Sequence, residues 1–331
     1  MDRARPARVL RRSCWAALAG LVLTGAAAPL AVLHPARWLA PGADPVGPLT
    51  TTFAECARPP TDPQAAWLFE VGRAAFRTPE LLGGQAARAG IACESCHQAG
   101  RRNPDFFFPH LSGAPGTADV TTALFSSHRD DGIDNPKPIP DLSGPKSALK
   151  VPQDANSPAL AKFIRGQITE EFDGAEPPPA VLAGLAAYVR SLDPVACPRP
   201  PREPLRVADQ VDDARRAIRT AQGALERHDS PTAVVMIEGA RWRLGLIDER
   251  YSGPGLADAR EALRSADVDL ASALAAVRTG DPGAGVRLDL WLARSRSWAP
   301  QLSREEPRSL FNPAQVARLS NAPVPPNPEA R

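Results

Sequence analysis

A chain of 331 residues with 43% apolar and 23% charged side chains has the balance of an ordinary globular protein and the length for two domains. Its formal charge of +2 comes from its first residues, where Arg3, Arg5, Arg8, Arg11 and Arg12 face only Asp2; without residues 1–28 the balance is −2, and no basic stripe remains to meet nucleic acid. Aromatic residues make up only 5% and prolines number 37, which argues against a large β-rich core and for helices joined by stiff loops, an all-α class.

The arginine-rich start leads into Cys14–Leu33, twenty residues without a charge, with small residues around Ala26–Ala28. This is the pattern of a secretory signal peptide with an A-x-A-like site, and residues 1–33 are read as a signal or, if uncleaved, as a membrane anchor. Residues 34–56 are read as a linker. Either fate of the leader exports the remainder of the chain and implies a periplasmic location.

Residues 57–197 form the next unit. Asp62 can cap and Pro63 can open a helix over Pro63–Phe76, with Trp67, Val71 and Ala74 or Ala75 at helical spacing. Near the end of the unit, Val181, Leu182, Leu185, Tyr188 and Val189 predict a second helix over Pro179–Leu192. Between them stands Cys93-Glu94-Ser95-Cys96-His97, a C-x-x-C-H sequence, the attachment signature of a c-type haem. Two thiols three positions apart on one helical turn can form thioethers with the porphyrin vinyls, and the next residue, His97, becomes the proximal iron ligand. A redox dithiol or half of a zinc site is the bland alternative, but no second Cys/His pair stands at metal spacing. The expected cofactor is one covalently attached haem c.

Gly72-x-x-x-Phe76 ahead of this motif and Leu185-x-x-Tyr188 after it resemble the crossed terminal helices of the cytochrome c fold. The longer run Gly72–Gly84 followed by Cys93–His97 resembles one half of the bacterial di-haem cytochrome c peroxidase and MauG-like family. That family carries two haem motifs and this chain one, so the resemblance covers residues 64 to 193 or so. By resemblance to class I cytochromes, the Pro109 carbonyl is expected to accept the His97 ring N–H. Phe107, within Phe106–Phe108, is expected against the porphyrin or in the core. Residues 98–158 show few periodic apolar runs, and so long an irregular stretch suggests a segment wrapped around a ligand.

The sixth iron position is open in the sequence. Met1 and Met236 are the only methionines, so no thioether comes from this unit. His110 and His128 are the candidate distal ligands, with Lys137, Lys146, Lys150 and Lys162 weaker and an open site the remaining alternative. Asp130–Asn135 misses the EF-hand spacing and reads as a solvated acidic turn. Cys56 and Cys197 are left as a pair at the edges of the unit in an oxidising compartment; they are expected to be bonded, the alternative being two separate thiols.

Pro198–Pro204 reads as an extended linker. After it, residues 205–320 carry three apolar ladders, Val207–Leu225, Ala233–Tyr251 and Ala259–Val277, each stepping 4, 3, 4, 3, 4 and offset by 26 residues. With a fourth helix from Pro282 to Trp298 they specify an antiparallel helical bundle. Its seam is expected to be core, and Met236 a packing residue. The tail, 321–331, reads as disordered.

These features lead to an exported mono-haem c-type cytochrome that passes single electrons to a redox partner protein, with a bundle that docks it to a partner or forms a homodimer. The alternatives are a peroxidase-like haem enzyme with an open distal face or a partner-supplied second haem, and a haem-based sensor acting through the bundle.

Overall fold

The computed structural model describes residues 30–129, 132–197 and 202–321. Most of the predicted leader, Asp130, Asp131 and most of the tail lie outside them. The chain is all-α, with eleven helices among the described residues and two small two-stranded sheets. No helix among them is long and apolar enough to cross a membrane.

The first predicted helix is α2 (Pro63–Ala75), which follows α1 (Val46–Thr50). It starts where its chemistry says it should: the Asp62 carboxylate accepts from Ala65 N at 2.8 Å and Pro63 occupies the first turn. The chain then passes through α3 (Gly84–Ala89) to the single turn α4 (Cys93–Cys96). An irregular excursion comes next, pinned by β2 (Thr117–Ala118) against β3 (Lys137–Pro138), before α5 (Ala159–Gly166), a π-helical turn over Gln167–Glu171 and α6 (Pro179–Ser191). Helices α2 and α6 cross backbone to backbone. A Cβ on Gly72 would lie 1.9 Å from the Gly184 carbonyl oxygen, so no larger residue fits. Around the crossing the Tyr188 ring packs 5.1 Å from that of Phe76 and 5.7 Å from that of Phe69.

The bundle follows its ladders. Helices α7 (Val207–Glu226), α8 (Ser230–Arg250), α9 (Ala257–Thr279) and α10 (Ala284–Glu305) pack in sequence, and α10 returns to α7 to close the ring. Every ladder residue is buried except Leu225, whose place in the seam is taken by Ala224. Met236 is fully buried in this core, as expected. The fourth helix runs past its predicted end, through Pro300, to Glu305, and α11 (Pro313–Ser320) comes after it.

Residues 34–56 and the described end of the Pro198–Pro204 run, both read as linkers, are built into the structure, while residues 198–201 lie outside the described residues. The described end of the leader and residues 34–50 fold over the bundle's end: Leu30, Leu33 and Leu49 form a small core with Leu310 and Val316. Strand β1 (Thr51–Phe53) pairs with β4 (Arg202–Pro204), taken from the proline-rich run. Beside this pair Cys56 and Cys197 are disulfide-bonded, with the Asp193 N–H donating to Cys56 O at 2.7 Å. The two units share one apolar core across α2, α7 and α8, and Trp67 on α2 donates its indole N–H to Thr220 O at 3.2 Å.

Two outcomes are expected for stability. The C56A/C197A double variant should lose about 2–5 kcal/mol in denaturant unfolding, since the bond closes a loop with a separation of 141 residues. G72A should cost more than about 3 kcal/mol or leave no folded protein, because backbone on both sides of the crossing resists displacement.

Candidate haem-attachment site

Turn α4 is opened by a local capping contact and held by longer-range ones. The Ser95 hydroxyl accepts from Ala92 N at 3.1 Å at its start, the Glu94 N–H donates to Phe76 O at the end of α2, and Asn103 bonds Ser95 O. Cys93 and Cys96 are half-buried and not bonded to each other. Burial pushes both thiols up to about 12, so neither is a thiolate at neutral pH. Among the described residues no three His, Cys, Asp or Glu side chains converge to hold a metal ion.

His97 follows the turn with its ring 6.4 Å from that of Phe76. Its Nδ1 donates to the carbonyl oxygen of Pro140 at 3.0 Å, while Nε2 meets no hydrogen-bonding group of the described residues. Burial pulls the imidazole down to about 4, against the pull of the Pro140 carbonyl and Asp141, so the ring is neutral with its Nε2 lone pair free. Two thiols on one turn and a neutral, oriented imidazole beside them are the donor set a covalently held haem requires.

The expected acceptor, Pro109, is not the one used. Residues 101–139 form a closed excursion: β2 pairs with β3, Ile139 N bonds Gly116 O and Leu142 N bonds Gly100 O, so residues 140–142 return beside His97. Pro109 lies exposed at the outer end of that excursion. Phe106 is fully buried and Phe108 packs on Phe125 at 5.3 Å, but the intervening Phe107 is half-buried and joins the core through neither neighbour's contacts. His110 is exposed at a turn with φ 64°, and His128 is exposed beside Ser126; among the described residues no hydrogen bond or ring contact brings either to the Cys93–His97 turn. Lys146 is committed to the carbonyls of Leu142 and Val189.

Behind the turn lies a network that sequence reasoning missed. Arg77, at the end of α2, pairs with Glu55 and Glu94 at 2.8 Å each, and Arg73 pairs with Glu55 at 2.9 Å and Asp213 at 2.7 Å. Arg243 of α8 reaches the other oxygen of Glu94, Arg216 of α7 reaches Asp213, and the Tyr188 hydroxyl donates to Glu55 at 2.8 Å. Glu94 is thus held from both units. On α8 a face separate from the apolar ladder is turned to the first unit and to residues 34–50: Gly239 lies against Thr78, Arg243 meets Glu94 and Arg250 meets Leu49 O. Nη1 of Arg77, 4.0 Å from Asp213 Oδ2, and Nε of Arg216 lack hydrogen-bond partners among the described residues and stand beside a cavity of about 10 Å³, room for one bridging water.

Burial alone would raise the Glu55 carboxyl, but Arg77 and Arg73 outweigh it and hold it at about 2; Glu94 and Asp213 are lowered in the same way. A carboxylate lowered in the folded state stabilises above its unfolded value and loses that contribution as the pH falls through the folded one. Acid unfolding should therefore run from roughly pH 5 towards pH 2, and E55Q should flatten that profile while costing about 3 kcal/mol at pH 7. R243Q should cost about 3–5 kcal/mol by leaving Glu94 short of a partner, read as a lower denaturant midpoint.

Compared with known proteins, the chain matches no family model, no curated protein and no solved structure.

Proposed function

We propose that the chain is an exported c-type cytochrome that carries one haem on Cys93 and Cys96, uses His97 Nε2 as proximal ligand, and passes single electrons to a redox partner protein. The observation that carries this reading is the His97 ring. Its Nδ1 is spent on Pro140 O beside two thiols spaced for thioethers, so the tautomer and direction of Nε2 are set before any ligand arrives. The haem when bound supplies reversible one-electron chemistry at iron. The Pro140 carbonyl would raise the basicity of the imidazole, and the clamp on Glu94 would fix the turn from behind, limiting the rearrangement that accompanies a change of charge at the site.

A peroxidase-like reading with an open distal face draws support from one observation: His110 and His128 are exposed in loops and Met236 is locked in the bundle. Export is supported by the leader pattern and the Cys56–Cys197 bond. Leu30 and Leu33 are packed in the fold, so a cleavage site would fall before them.

Haem should stay with the polypeptide through acid extraction and denaturation, and C96A should lose most stable holoprotein; free haem recovered from the denatured wild type would end the reading. H110A and H128A should leave the optical spectrum of the oxidised protein unchanged. A low-spin to high-spin conversion in either would make that histidine the distal ligand, whereas a high-spin wild type that reacts with peroxide would favour the enzyme.

A further inference from the structure

A cavity of about 320 Å³ lies behind the Cys93–His97 turn, between the N-terminal strap, α4 and the α7–α8 face of the bundle. That volume sits at the lower end of the range for small-molecule sites. Its wall has two characters. Towards Glu94 it is the ionic network, where Glu55, Glu94 and Asp213 are each held by arginine. Towards the strap Pro35, Trp38, Leu39, Pro48, Leu246 and Phe311 give it apolar surface, interrupted by the charged Asp209, Glu249 and Arg250.

Two donors without acceptors stand in the apolar half. Arg250 is only 5% exposed and is not ion-paired with any described carboxylate. Its Nη1 donates to the carbonyls of Leu49 at 2.7 Å and Leu310 at 3.0 Å, and its guanidinium lies 4.9 Å from the centre of the Phe311 ring, but no acceptor among the described residues meets its Nε or Nη2. The neighbouring Glu249, which also lines the cavity, spends its carboxylate on the backbone N–H and ring of His34. The second donor is Nε1 of Trp38, buried and without a hydrogen-bond partner among the described residues. A buried guanidinium short of a counter-charge and a buried indole N–H short of an acceptor both carry a desolvation cost that one ligand could remove.

We infer that this cavity binds a small organic carboxylate with an apolar or aromatic body, its carboxylate received by Arg250 and the Trp38 indole N–H and its body by the apolar wall. The arginine fork suits a planar carboxylate, and aromatic and aliphatic faces suit a hydrocarbon body. Burial pulls the Arg250 guanidinium down to about 10, the direction expected of a cation lacking an anionic partner. The site is independent of the haem reading, since neither Arg250 nor Trp38 belongs to the C-x-x-C-H sequence. Its position against α4 and both units means that occupancy would stiffen the joint between them.

Benzoate is the probe and benzamide, of the same shape without the charge, its control, both titrated calorimetrically into the exported full-length protein. Benzoate should bind one to one with a dissociation constant below about 1 mM, and benzamide at least tenfold more weakly. W38F should weaken benzoate about fivefold by removing one hydrogen bond to a charged group, R250Q should abolish binding, and L246W should block the cavity and do the same with the circular dichroism unchanged. Absence of saturable benzoate binding, equal binding of benzamide, or unchanged binding in W38F and L246W would overturn the proposal; the last two variants decide it if R250Q does not fold.

Discussion

The half-buried carboxylate of Glu94 has an arginine on each oxygen, one from each unit: Arg77 at the end of α2 and Arg243 in the middle of α8. Removing either guanidinium would strand charge in a low-dielectric interior, where the desolvation cost of an ion is large. Because Arg77 also holds Glu55, and Glu55 accepts from Tyr188 on α6, the same charge set ties the crossed helices, the segment beside the disulfide and the bundle into one body. The turn that bears both thiols is the point where these ties meet.

This arrangement gives the bundle a role inside the chain. Its α7–α8 face is spent on α2 through apolar contacts, the Trp67 hydrogen bond and the Arg227 guanidinium over the Trp67 ring at 4.3 Å. Gly223 and Gly239 make this approach possible, since a Cβ on either would fall within 3.0 Å of Trp67 or Thr78. The strap of residues 30–50 closes one end of the bundle against α11, and with β1–β4 and the disulfide it holds the first unit's termini together.

The same joint leaves a charged and aromatic cavity behind the Cys93–Cys96 turn, which close packing alone would have removed. The network around Glu94 accounts for one half of its wall. In the other half the Trp38 indole N–H is buried without an acceptor among the described residues, and Arg250 is held by backbone carbonyls rather than by a carboxylate.

Much of the architecture was legible in the residues. Ladders stepping 4 and 3 give helices because that spacing keeps apolar side chains on one face; Asp62 and Pro63 mark a start because the first N–H groups need an acceptor. The C-x-x-C-H spacing and the pairing of the two remaining cysteines were likewise local or arithmetic facts. Tertiary structure alone decided the rest. Pro140 rather than Pro109 meets His97 because a closed excursion brings residue 140 back, and no local pattern encodes where such a loop returns. The charges of Arg77, Glu94 and Arg243 look like solvated helix faces until the two units meet, because a side chain's burial depends on what packs over it and not on its own neighbours in sequence.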